Sequence, residues 1–162
     1  MQVPTPTAEH RRLERLAGTW SGEETLFPSP WMPEERRAKG RLRARMEVGG
    51  LFLVTDYQEA QGGEVTFRGH GVYGWDPELR AYTMHWFDSM GGGGPQGPAR
   101  GTWHEDTLTF ERQGPEGWAR YVYVLEAPNR LTFRIESSQD GSHWSTFLEG
   151  RYRRRAAPRK RG

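Results

Sequence analysis

Cysteine is absent from the 162 residues. That excludes disulfides, thiolate metal sites and cysteine nucleophiles, and the expected compartment is the cytoplasm. Lysine is nearly absent too: Lys39 and Lys160 are the two, and every other base is Arg. Apolar residues make up only 34%, and no window approaches the roughly 18 apolar residues of a membrane-spanning helix. Met1 to Thr7 lacks the charged-then-apolar pattern of a secretion signal, so none is expected. The length suits one domain, because two halves would each sit near the lower practical size for a packed core.

Aromatics offset the shortage of aliphatics. Seven Trp, seven Phe and six Tyr can bury a large area from few positions. The 21 Gly and 11 Pro point to many tight turns rather than a helix bundle. Charge is split along the chain. The net value is +2, but residues 151–162 carry six Arg and one Lys without an acid, which leaves the other 150 residues at −5.

Thr7 is suited to cap a short helix over Ala8 to Leu16, stopped by Gly18. Leu13 and Leu16 fall on its inner face, and Arg11, Arg12 and Arg15 on its wet face. From Thr19 onward the period is two. Arg41 to Val48 alternates charged and apolar, Gly49-Gly50 turns, and Leu51 to Tyr57 returns. Further strands are expected over Val65 to Trp75, Tyr82 to Asp88, Arg100 to Glu105, Leu108 to Gln113, Trp118 to Glu126, Leu131 to Ser137 and His143 to Arg153. Hairpin-length separators allow only antiparallel neighbours. About ten strands in one meander gain by closing, because closure removes exposed edges. The expected fold is therefore all-β: an antiparallel up-and-down β-barrel with one short N-terminal helix. Residues 1–155 form the domain and residues 156–162 a basic tail.

Leu16-Ala17-Gly18-Thr19-Trp20-Ser21-Gly22 carries a first resemblance. A helix running into G-x-W on the first strand resembles the lipocalins, the fatty-acid-binding proteins and their bacterial relatives. That resemblance implies that Trp20 closes one barrel end beneath an Arg of the last strand, with Arg151 and Arg153 the candidates. Gly69-x-Gly71-x-x-Gly74-Trp75-Asp76-Pro77, Tyr82, Trp86-x-Asp88-Ser89, Gly49-Gly50-Leu51-Phe52-Leu53 and Trp144-x-x-Phe147-x-Glu149-Gly150-x-Tyr152-x-Arg154 add a second. Over roughly residues 9–155 the chain resembles the bacterial domain-of-unknown-function 1579 family, which implies a lipocalin-like barrel and no particular activity. A more distant resemblance, to nitrobindin, implies a haem held by a histidine near the C-terminal end. His143 is the nearest match, with His85 a second candidate.

The residues themselves support few catalytic arrangements. His70, His85, His104 and His143 lie on separate strands, and no pair has zinc-site spacing. His85 and Asp88 fall on opposite strand faces, and Ser89 has no nucleophile elbow, so a hydrolytic triad does not form; Asp88 and Ser89 instead end the strand as hydrogen-bond acceptors. No Lys-Ser/Thr follows the glycines at 91–94, which excludes a P-loop and leaves a loop at the barrel mouth, suited to a lid. The basic tail has no aromatic interleaving beyond Tyr152, so nucleic acid is not the expected partner.

The leading expectation is a non-enzymatic barrel that binds a small hydrophobic molecule. Its expected wall is Trp20, Phe52, Trp75, Tyr82, His85, Trp86 and Phe133, with His70 and Arg134 as polar contributors if register turns them inward. No cofactor is expected on this reading. The alternatives are a haem protein, an enzyme using a His and a carboxylate in the cavity, and an interaction module acting through its Arg-rich tail. Outward aromatics would favour a homodimer.

Overall fold

The computed structural model describes residues 2–91 and 97–156. Helix α1 (Ala8–Glu14) precedes ten strands. These are β1 (Gly18–Leu26), β2 (Arg36–Glu47), β3 (Phe52–Gln61), β4 (Glu64–Asp76), β5 (Ala81–Asp88), β6 (Ala99–His104), β7 (Thr107–Gly114), β8 (Gly117–Ala127), β9 (Arg130–Ser138) and β10 (Ser145–Arg154). Each strand pairs antiparallel with its chain neighbours, and β1 also pairs with β10, so the meander closes into a barrel. Short turns make this order the accessible one. At Gly62-Gly63 both residues take positive φ, 59° and 85°, as a two-residue hairpin turn of the favoured twist requires.

Period two sets the interior. On β1, Trp20, Glu24 and Leu26 are buried while Glu23 is exposed. The same alternation turns Leu53, Thr55 and Glu59 inward on β3, Tyr82 and Met84 on β5, and Leu148 and Tyr152 on β10. Strand β2 starts five residues before the Arg41 boundary expected from sequence. Arg36 to Gly40 lacks an apolar partner for its alternation, but Ala38 and Gly40 face inward opposite Glu24 and Gly22.

One barrel end is plugged. The Thr7 amide donates to His10 Nδ1 at 3.0 Å, which starts α1. The helix ends earlier than the expected Leu16, because Leu16 and Ala17 donate to Leu13 and Glu14 carbonyls in a tightened last turn. Leu13 and Leu16 are buried with Trp20, Leu53, Tyr73, Tyr82, Leu108 and Phe110. The Trp20 indole N–H donates to the Leu16 carbonyl at 2.9 Å.

The Arg that lies over Trp20 is Arg154, its guanidinium carbon 4.3 Å from the ring centroid. This corrects the expectation of Arg151 or Arg153. Tyr152 points inward, so pleating sends its neighbours out and brings Arg154 back over the barrel end. Arg154 also donates to the carbonyls of Ala17, of Arg15 at 2.9 Å and of Pro128 at 3.0 Å.

The opposite end has no helix among the described residues. The wall is also weakest towards that end. Strands β5 and β6 pair only through Tyr82–Met84 and Ala99–Gly101. Beyond Met84, β5 keeps its pairing with β4 alone. The glycines proposed as a mouth loop fall mostly at 92–96, outside the described residues, as does the tail from residue 157.

Candidate functional site

Between the plug and the open end the barrel holds a polar cluster. Its centre is Glu24, 1% exposed. The Tyr57 hydroxyl, from β3, lies 2.7 Å from both carboxyl oxygens, and the Tyr152 hydroxyl, from β10, donates to Oε1. Gly40 makes this possible: a β-carbon there would run into the Glu24 carboxyl and the Tyr152 ring. Glu59, two residues along β3 from Tyr57, is buried on the same face and accepts from Gln61 Nε2 at 2.9 Å and Thr66 Oγ1 at 3.3 Å. Deeper in, the Tyr73 and Tyr123 hydroxyls share a hydrogen bond of 2.7 Å.

Burial governs the electrostatics. It pushes the Glu24 carboxyl above the usual carboxylate range; the Tyr152 and Tyr57 hydroxyls pull the other way, and the Glu59 charge adds to the rise. Burial likewise raises Tyr57, Tyr152, Tyr73 and Tyr123, which therefore remain neutral donors at physiological pH. The arrangement presents a desolvated carboxyl to a partner that donates hydrogen bonds.

Towards the open end the inward side chains are aromatic and only partly buried. Tyr57 lies 6.0 Å from Phe67 and 6.3 Å from Trp86, centroid to centroid. Tyr121, Phe133 and Ile135 continue this half-buried surface on β8 and β9. The Trp86 ring lies over Gly69, where a β-carbon would collide with it, and its N–H donates to Asp88 at 3.1 Å. A cleft of about 560 Å³ bordered by Gly97, Pro98, Arg100 and Glu111 to Pro115 lies at the same end, where the β5–β6 pairing has stopped.

The residues expected to line one wall are dispersed. Trp20 and Tyr82 are core at the plugged end, where Trp75 packs 4.8 Å from Tyr82 and the Tyr82 hydroxyl donates to the Glu9 carbonyl. Trp86 and Phe133 stand in the open half. Phe52 and His85 turn outward, because their neighbours Leu53 and Met84 occupy the inner face. His70 and Arg134 are also on the outer face: His70 binds Asp56 at 2.8 Å, and Arg134 binds Glu136 at 2.6 Å. His143 sits on an exposed turn and binds Asp140 at 2.7 Å. An internal haem would meet neither His143 nor His85, so these residues do not fit an axial ligand inside the barrel. Among the described residues no three His, Asp or Glu side chains converge as a metal site.

Glu24 is absent from the sequence-based candidates, although the signal was present. Trp20 inward fixes the parity of β1, and counting by two reaches Gly22, Glu24 and Leu26.

A family model described as "Protein of unknown function (DUF1579)" matches residues 5–154. The chain belongs to this family. No curated protein matches it in sequence. Among solved structures, the DUF1579 chain is similar to Rv2717c from M. tuberculosis, with a TM-score of 0.65 at 14% identity over 93% of this chain and 99% of that one. It is equally similar to the S-type phycobiliprotein lyase CPES from Guillardia theta, with a TM-score of 0.65 at 12% identity over 94% of this chain and 99% of that one. At such identities the likeness establishes the fold, a lipocalin-like barrel. No helix among the described residues of this DUF1579 chain is long and apolar enough to cross a membrane.

Proposed function

We propose that this protein binds a small, largely apolar ligand in the open half of its barrel. One observation carries the reading: the two barrel ends differ. The plugged end is filled by Trp20, Leu13, Leu16 and Tyr82, all nearly inaccessible. In the open half, Phe67, Trp86, Tyr121, Phe133 and Ile135 point inward yet keep part of their surface exposed, above a buried carboxyl. Apolar walls with a few convergent polar groups are the usual make-up of a small-molecule site. The name of the phycobiliprotein lyase, a structural neighbour at low identity, is consistent with a small-molecule role for this architecture.

Binding would come from removing ligand and wall surface from water, at roughly 25 cal/mol per Å². A neutral solvatochromic dye titrated into the full chain should show saturable enhancement. Trp86→Ala should weaken it by about tenfold, the loss expected for some 1.4 kcal/mol of buried indole contact. Absence of saturable binding, or dye binding indifferent to both Trp86→Ala and Tyr121→Ala, would sink the reading.

A further inference from the structure

We propose that the ligand of this site is a hydrophobic cation, an apolar molecule ending in a protonated amine that docks against Glu24 and Glu59. The inference rests on the ligand-binding reading above and adds the charge of the ligand. Its starting point is an imbalance inside the barrel. Glu24 and Glu59 are 1% and 6% exposed on neighbouring parts of the inner face, and neither forms an ion pair among the described residues. Their partners are hydroxyls and an amide: Tyr57 and Tyr152 for Glu24, Gln61 and Thr66 for Glu59. Arg154, an inward base, is committed at the far end to Trp20 and three carbonyls. Elsewhere the chain pairs a buried acid in the ordinary way, with Arg120 and Arg134 both on Glu136. The interior acids lack such a base, and an uncompensated buried carboxylate is costly.

A second observation is independent of the acids. Thr55 Oγ1 is buried without a hydrogen-bond partner of ordinary geometry. It lies on the inner face of β3, two residues from Tyr57 and four from Glu59. The Tyr73 hydroxyl interacts with it, but that hydroxyl is already engaged with Tyr123. An ammonium has three N–H donors and no acceptor. Glu24 Oε2 takes only the shared Tyr57 proton, so it and Glu59 are the acceptors for the ammonium, while Thr55, about 13 Å along β3 from Glu59, is a separate unmet polar group on the same face. A neutral alcohol offers one O–H donor and no charge, and a carboxylate ligand would bring a further acid beside the two already there. Faces of Tyr57, Phe67 and Trp86 beside the carboxyls suit both an alkyl chain and the edge of a cation.

Binding of the ammonium would be linked to release of a proton from Glu24 to solvent. Burial holds Glu24 above its usual range, and the groups facing it are Tyr57 and Glu59 from β3 and Tyr152 from β10. Those tyrosines are themselves raised and stay neutral. A bound ammonium favours ionised Glu24, so amine affinity should rise with pH from 5 to 8 while that of an alcohol stays level.

Dodecylamine, dodecanol and dodecanoate, each below its micellar concentration, should be titrated against the full chain by dye displacement and calorimetry. The expected order is amine, alcohol, carboxylate, with the amine at least tenfold tighter than the alcohol at pH 8. The amine-to-alcohol ratio should fall to within about threefold in Glu24→Gln or Glu59→Gln and remain unchanged in Glu149→Gln, on the outer face. Should Glu24→Gln fail to fold, Glu59→Gln and the pH series on the unaltered chain decide. Alcohol binding without an amine preference, dodecanoate as tight as the amine, or a preference that survives both substitutions overturns the cation assignment and leaves the apolar site standing. No binding by any of the three overturns both.

Discussion

Glu24 is the residue whose chemistry is most altered by its place in the fold. An ionised carboxyl in that position loses water and gains only two phenol donors, one of them shared between its oxygens. Its raised pKa has a consequence for stability. Between the ordinary carboxylate range and the raised native value, the folded state keeps a proton that the unfolded chain releases, so stability falls as pH rises through that window. Asp56, held low by His70 and Arg45, acts with the opposite sign. So does Glu136, where Arg120 and Arg134 outweigh partial burial. Both contribute stability above the ordinary carboxylate range that is lost in acid, and both are common to the native chain and a Glu24→Gln variant. The difference in melting temperature, variant minus native, should therefore become more positive as pH rises above the ordinary carboxylate range, and level off once the native Glu24 has ionised. A flat or falling difference in scanning calorimetry would show that Glu24 titrates normally and is not desolvated as described.

At the scale of elements, α1 and the end of β10 work as one unit. A helix of seven residues has little stability of its own, and its last carbonyls need partners. Arg154 supplies them at Arg15 and Ala17 while stacking on Trp20. Arg154→Ala should cost about 2 kcal/mol in urea unfolding, from the lost cation–π contact and charged hydrogen bonds. Arg153→Ala, on the outer face, should cost no more than about 0.5 kcal/mol. Equal costs would refute the assignment of Arg154 to the closure. This pair also shows what could be read from sequence and what could not. Strand count, hairpin order and the helix were legible because alternation and Gly or Pro turns are local signals. The choice between Arg153 and Arg154 was not, because an Arg run carries no alternation and only register decides which residue faces in. Glu23-Glu24, two identical acids of which one is exposed and one buried, can be told apart only by the parity that Trp20 sets two pairs earlier on β1. Gly40 reads as a turn residue by composition; it is an inner-face strand position kept bare for the Glu24 carboxyl. The candidate site was thus hidden wherever its polar residues mimic surface or turn residues, while its aromatics Trp86 and Phe133 were visible.

For the whole molecule, the decisive contact is the pairing of the first strand with the last. It joins Trp20 to Arg154 and Leu26 to Leu148, and it turns a ten-stranded sheet with two long edges into a ring that parts only where β5 leaves β6 beyond Met84. This seam is unusually tight at Gly22. A β-carbon there would meet the Arg151 backbone carbonyl, which cannot swing aside as a side chain can. Gly22→Ala therefore has to push β1 and β10 apart, with overpacking of about 3 kcal/mol. In a chain of this size that lowers the melting temperature by about 6–12 °C. The strained seam also exposes backbone donors and acceptors along two strands, so light scattering should rise at a lower temperature in the variant than in the native chain. Gly114→Ala is the matched control, since nothing lies within 4 Å of a β-carbon there, and it should change stability by no more than about 0.5 kcal/mol. Equal melting temperatures for the two variants would mean that the β1–β10 seam yields without cost, and barrel closure would then not be what holds the Glu24 side of the site against Tyr152.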